Sequence, residues 1–170
     1  MAGAEPRVTI RPATSEDVDD IFAALAGIAD TVNERHLLKS TPDDLRAYGF
    51  GEAPAFEALV AEIDGHFAGC CVFFPSYSTW IGRPGAYVQD LYVAPAFRGQ
   101  RIGERLLRRL AATMRRRGGR YIRLAVDTGN HGAQAFYARC GVRQRKDEQI
   151  HAARDDDFDR LADADEEQTG

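Results

Sequence analysis

The stretch Arg98-Gly-Gln-Arg-Ile-Gly103 holds the residue types and spacing with the most specific chemistry in this chain. It sits where a strand reading passes into a helix reading. Free N–H groups at residues 99–104 would converge there, and the helix dipole would favour negative charge. Gly99 and Gly103 would let the backbone approach a diphosphate closely, and Arg98 and Arg101 would add charge-assisted donors. An ordinary β–α turn with a solvated basic face fits the same residues. Cys140 is the one thiol to weigh as a nucleophile, but it precedes a helix-terminating Gly141 and no histidine has a recognisable partner spacing, so it reads as core. His36, His66, His131 and His151 are scattered and form no metal-ligand spacing with the cysteines, so no metal is expected.

The elements that must position this loop follow from periodicity. Val8–Arg11 alternates as a strand ended by Pro12, and Ser15 caps a helix whose apolar stripe is Val18, Ile21, Phe22, Leu25 and Ile28. Thr41-Pro42-Asp43-Asp44 opens a second, short helix ending near Gly49. The apolar runs 56–63 and 67–74, split by Asp64-Gly65-His66, read as a hairpin. A loop at 81–85 leads to a strand at 86–93. Ile102, Leu106, Leu107, Leu110 and Met114 then define a helix with a basic outer face, ended by Gly118-Gly119. A strand at 121–126, a turn at 127–130 and a helix at 132–140 follow. Residues 142–145 and 148–153 read as a final strand pair, and 163–170 as a frayed acidic tail. The expectation is one α/β domain over residues 1–170, with an antiparallel N-terminal half in a mixed sheet of seven strands.

Charge is segregated along the chain. The net charge is only −4 over 170 residues, yet residues 97–123 hold ten arginines and one acid, while residues 147–170 hold two basic and ten acidic residues. The local basic excess suits an anionic cofactor. Nucleic acid is not an expected partner, because the arginines lack interleaved aromatics and an acidic tail lies close in the chain. The longest strongly apolar run, Phe67–Phe74, is far below the roughly 20 residues of a membrane span. The N-terminus shows no secretory signal, and three sparse cysteines fit a reducing cytoplasm.

The strand Y-V-Q-D-L-Y-V-A-P, the loop R-G-Q-R-I-G and the segment N-H-G-A-Q-A-F-Y-A-R-C-G together resemble the GNAT superfamily of N-acetyltransferases. I-R-P-A-T, L-R-A-Y-G-F-G-E-A-P-A-F-E-A-L-V-A-E and W-I-G-R-P-G resemble its diamine (spermidine/spermine) acetyltransferase branch, from about Arg7 to about Leu161. The resemblance implies a mostly antiparallel seven-stranded sheet flanked by helices, with splayed central parallel strands. It implies acetyl-CoA as co-substrate, its pantetheine arm beside the backbone of Leu91, Tyr92 and Val93, and its pyrophosphate on Gly99, Gln100, Arg101, Ile102, Gly103 and Glu104, with Arg98 alongside. Asn130 and Ala133 match positions meeting the pantetheine. Tyr137 matches the tyrosine that protonates the departing thiolate. The acceptor would be a small-molecule amine attacking the thioester directly, near Thr31, Glu34, Trp80 and Gln89. The branch also implies a homodimer.

Three positions depart from the pattern. Gln89 stands where the branch has a glutamate proton acceptor, and an amide cannot take a proton at neutral pH. Asp90 is adjacent, but strand alternation points it to the other face unless a bulge intervenes. Arg101 occupies the first glycine position of the loop, which a helical backbone would accept and a left-handed one would not. The stretch Thr31–His36 has a single acid, Glu34, so a polycationic polyamine suits it less than a lysine-like amine does. The alternative expectation is a CoA-binding sensor on the same fold, with catalysis weakened by Gln89.

Overall fold

The computed structural model describes residues 7–169. One five-stranded sheet runs in the order β1 (Val8–Pro12), β2 (Glu57–Ile63), β3 (His66–Ser78), β4 (Arg83–Val93), β5 (Tyr121–Leu124). The first four strands pair antiparallel, and β4 and β5 pair parallel. Helices α1 (Val18–Thr31) and α2 (Pro42–Phe50) lie between β1 and β2, α3 (Ile102–Arg116) between β4 and β5, and α4 (His131–Arg139) and α5 (Asp156–Thr169) after β5.

Local chemistry accounts for most of these bounds. Asp64 and Gly65 both have positive φ (51° and 83°), the requirement of a two-residue hairpin turn matched to strand twist. Thr41 caps α2 reciprocally: its Oγ1 accepts from Asp44 N–H at 3.2 Å, and its own N–H donates to the Asp44 carboxylate at 2.8 Å. The first helix is capped one residue earlier than expected. Thr14, not Ser15, donates its backbone N–H to Asp17 at 2.7 Å, and a 3-10 turn over Ser15–Asp17 precedes α1.

Two cores result, one on each face of the sheet. Helix α3 buries Ile102, Leu106, Leu107, Leu110 and Met114 against Leu59, Cys71, Phe73, Ala86 and Val88. Helices α1 and α2 bury Val18, Ile21, Ala24 and Leu45 against Val60, Cys70 and Val72. Each fully buried aliphatic side chain contributes on the order of 1.5–3 kcal/mol.

The seven expected strands reduce to five among the described residues, because 142–145 and 148–153 form no strand. Val142 and Ile150 are the only large apolar residues of 142–150, too few for a buried face. The charges there pair locally instead, Arg145 with Asp147 at 2.8 Å and Arg123 with Glu148. The acidic tail also differs from the frayed expectation: residues 163–169 continue α5, while Gly170 lies outside the described residues. Among the described residues, no helix is long and apolar enough to cross a membrane.

The edge strand is tied to the helical layer by one charged cluster. Arg11 bonds both carboxylate oxygens of Asp17 at 2.8 Å and Glu62 at 2.6 Å. The Arg11 hydrogen bond, reinforced by Thr14, holds the Asp17 carboxyl below the usual carboxylate range despite its burial. A depressed acid stabilises the fold above its unfolded value, and that stabilisation is lost as pH falls through the folded one. Asp17→Asn is therefore expected to cost about 1–3 kcal/mol at pH 7. The wild-type advantage, measured by denaturant unfolding, should shrink below about pH 4, the ordinary carboxylate value.

Candidate active site

The site begins where the sheet opens. β4 pairs with β5 only through Gly85–Val88 against Tyr121–Leu124, then runs on to Val93 paired with β3 alone. One backbone edge of residues 89–93 is therefore left without a strand partner. A cleft of about 1000 Å³ lies along it. Leu91, Tyr92 and Val93 form one wall, α4 residues Ala133, Phe136 and Tyr137 face them, and the start of α3 closes one end.

That end has the properties of an anion site. The first intrahelical bond of α3 runs from Arg105 N–H to Arg101 C=O at 3.0 Å, which leaves the N–H groups of Ile102, Gly103 and Glu104 without a helical acceptor. Gly99 (φ 79°) turns the chain into the helix. A Cβ on Gly103 would come within 3.1 Å of the Phe136 ring, so a small residue lets α3 approach α4. Arg98 lines the cleft, is exposed and donates Nε–H to Val93 O at 3.3 Å. Arg101 adopts a left-handed backbone (φ 59°, ψ 21°), the conformation that an L side chain resists by about 1–2 kcal/mol. Its guanidinium is spent on the Glu104 carboxylate, at 2.8 and 3.0 Å, and does not stand free for a phosphate.

Of the residues expected to handle protons, Tyr137 lines the cleft from α4, while Gln89 and Asp90 sit where the β4 edge opens and neither lines the cleft. Val72 pairs with Asp90, and Phe73 pairs with Val88, so Gln89 is an extra residue in a β-bulge. The bulge resets the alternation: Ala86 and Val88 pack on the α3 side, and so do Leu91 and Val93. Asp90, opposite Val72, shares the α1 side with Tyr92. Gln89 is exposed and does not line the cleft. Burial alone pushes the Asp90 carboxyl up to about 6. Tyr137, packed edge-on against Phe136 at 5.1 Å, is pushed up to about 12, first by burial and then by neighbouring Cys71, Cys140 and Asp90. At neutral pH a carboxylate able to accept a proton and a phenol that keeps its own thus lie within reach of each other's charge.

The other expected residues divide. Thr31, at the end of α1, lines the cleft. Asn130 lines it too, while its Oδ1 caps α4 by accepting from Ala133 N–H at 3.0 Å. Gln100 and Glu34 are exposed and stand outside the cleft. Trp80 is fully exposed and borders a different groove. Ile28, Val32, Phe97 and Phe136 also line the cleft. Their apolar character reads as core in the sequence, and only the splay of the sheet turns it toward a ligand. Cys70 and Cys71 are buried, and burial raises both thiols; Cys140 borders the cleft, and its thiol is likewise raised, by burial first.

The comparisons with known proteins agree with this geometry. Residues 23–142 match the Acetyltransferase (GNAT) family. The chain is 37% identical over 141 residues to thialysine N-epsilon-acetyltransferase of Mus musculus, covering 78% of this chain and 82% of that one. It is 30% identical over 109 residues to spermidine/spermine N(1)-acetyltransferase-like protein 1 of Homo sapiens, covering 60% of this chain but 16% of that longer protein. Among solved structures, an aminoglycoside N-acetyltransferase in complex with CoA superposes with a TM-score of 0.72 at 15% identity, over 92% of this chain and 99% of that one. The chain belongs to the GNAT family of acetyltransferases and is an amine N-acetyltransferase.

Proposed function

We propose that the chain transfers the acetyl group of acetyl-CoA to the primary amine of a small, lysine-like molecule by direct attack on the thioester. The observation that carries this reading is one cleft combining an unpaired β4 edge, a helix N-terminus and a neutral phenol. The open edge at Leu91–Val93 pairs with the amide groups of the pantetheine arm as an added strand would. The N–H groups of Ile102–Glu104, with Arg98, take the diphosphate.

The chemistry asks three things of the chain. A backbone N–H near Leu91 stabilises the oxyanion as the amine nitrogen bonds to the carbonyl carbon. Asp90 accepts the proton that the nitrogen sheds. Tyr137 gives its proton to the sulfur as the C–S bond breaks. Gln89 takes no proton in this scheme.

The acceptor follows from charge. Asp30 is already paired with Arg35 at 2.7 Å, and Glu34 is exposed, so the end of α1 offers little negative field to a di- or trication. A lysine-like amine is what the named substrate of the thialysine relatives provides. Thr31 is the polar side chain of α1 that reaches the cleft. A thiol-release assay across thialysine, lysine, diamines and spermidine should give the highest kcat/KM with a lysine-like amine. No release with any primary amine would refute the reading.

Asp90→Asn should lower kcat by about 10²–10⁴-fold while leaving acetyl-CoA binding unchanged. In the wild type, kcat/KM should climb with pH through about 6 as Asp90 ionises. The same variant should gain stability at pH 7. A raised acid means that the folded state holds the proton longer, so wild-type stability falls as pH rises from about 4 to about 6, by on the order of 2–3 kcal/mol, and the variant should lack that fall. Tyr137→Phe should cut kcat by about 10²-fold with little change in either KM. Arg101→Gly should raise the unfolding free energy by about 1 kcal/mol, since glycine accepts the left-handed backbone that arginine strains.

A further inference from the structure

Acetyl transfer uses the backbone edge of β4, the N-terminus of α3 and the Tyr137 phenol, and leaves the side chain of Tyr92 without a role. The bulge at Gln89 puts Tyr92 on the α1 side of β4, the face it shares with Asp90. There it lines the cleft together with Ile28, Thr31 and Val32 of α1. A Cβ on Gly27 would lie 3.0 Å from the Tyr92 Cε2 and 3.2 Å from its hydroxyl oxygen, so the lack of a side chain there lets the phenol reach across to α1. One turn on, Thr31 Oγ1 donates to Gly27 C=O at 2.8 Å. Gly27 thus gathers two hydroxyl groups, one from β4 and one from the end of α1, at one place on the cleft wall.

The two hydroxyls have complementary capacities. Tyr92 O–H enters no hydrogen bond among the described residues and is not sealed from solvent, so its proton is available to donate. Thr31 has committed its proton to Gly27, and its oxygen keeps only lone pairs to offer. Thr31 is also the last residue of α1, where the helix dipole favours a cation. Tyr92 therefore suits a carboxylate and Thr31 an ammonium group. Ile28 and Val32, one turn apart on α1, add an apolar wall. Along β4, the positions of Asp90 and Tyr92 are about 7 Å apart. An extended lysine places its ε-nitrogen about 6 Å from its α-carbon. Neither hydroxyl borders the arginine-lined groove of about 1050 Å³ beside β5.

We propose that Tyr92 and Thr31 recognise the amino-acid end of the acceptor. Tyr92 donates to the α-carboxylate, Thr31 accepts from the α-ammonium, and Ile28 and Val32 cover the methylenes. The far amine is then left toward Asp90, on the same face of β4. This recognition rests on the acetyl-transfer reading, and it adds the group by which a free amino acid is told from a diamine. A buried-edge site built to hydrogen-bond one group rejects the analogue lacking it far more strongly than an apolar pocket rejects a missing methylene.

Steady-state thiol release with lysine, cadaverine and pentylamine tests it. Cadaverine is lysine without the carboxylate, and pentylamine is cadaverine without the second amine. With the wild type, kcat/KM should fall in that order. Tyr92→Phe should cut the lysine-to-cadaverine ratio of kcat/KM by about tenfold or more, chiefly through the KM for lysine. Thr31→Val should cut the cadaverine-to-pentylamine ratio by about tenfold. Thermal stabilisation by acetyl-CoA should persist in both variants, which separates lost recognition from lost folding. A lysine-to-cadaverine ratio that Tyr92→Phe leaves within twofold of the wild type overturns the assignment of Tyr92, even where kcat falls for all three amines alike. A cadaverine-to-pentylamine ratio that Thr31→Val leaves so overturns that of Thr31. Wild-type protein that releases no thiol with any of the three refutes the acetyl-transfer reading and the recognition with it, whereas turnover with both ratios unmoved refutes the recognition alone.

Discussion

The departure of β5 from β4 after four register pairs is the constraint on which the rest of this site depends. Backbone N–H and C=O groups that lose a strand partner must find another acceptor or donor. β5 ends at Leu124 and the chain turns through 127–130 into α4, so the position beside Leu91–Val93 is taken by a cleft and not by a strand. The open stretch of β4 thereby keeps backbone groups without a strand partner in the same cleft as the free N-terminus of α3. An extended, amide-bearing arm ending in a diphosphate satisfies both at once.

The bulge at Gln89 adapts that opening to chemistry. Without it, Asp90 would fall on the α3 side, where Val88 and Leu91 pack. With it, Asp90 lies half-buried at the start of the open edge, and its charge reaches Tyr137. Burial raises both groups, and that has opposite uses. It brings the carboxylate's proton affinity close to neutral pH and keeps the phenol protonated there, as the roles proposed for the two groups require. Burying a charge that no cation offsets costs stability, a cost commonly met at catalytic positions.

Much of this was legible in the amino-acid sequence, for identifiable reasons. The Asp64-Gly65 hairpin, the Thr41 cap and the apolar stripe of α3 are local features, fixed by residues within one or two turns of each other. The anion loop was visible because glycine and arginine spacing reports on backbone. The bulge was not, because it is set by the pairing of Val72 and Phe73, which lie more than a dozen residues away from Gln89 in the chain. The left-handed Arg101 was half-legible: its place at a glycine position of the loop raised the question, and a helical backbone, the one an arginine accepts without strain, is not what the structure shows. The two expected C-terminal strands failed because alternation alone cannot make a strand with so little apolar surface to bury. The acidic segment read as frayed is instead largely helical, with its apolar residues grouped on one stripe.

The central claim is that the unpaired β4 edge and the α3 N-terminus together hold acetyl-CoA. Amide hydrogen exchange with and without acetyl-CoA measures those groups directly. The account predicts slowed exchange at Leu91–Val93 and Ile102–Glu104 on adding the co-substrate, with the arginine-lined groove beside β5 unchanged. Protection that appears at that groove, and not at these two segments, would contradict it.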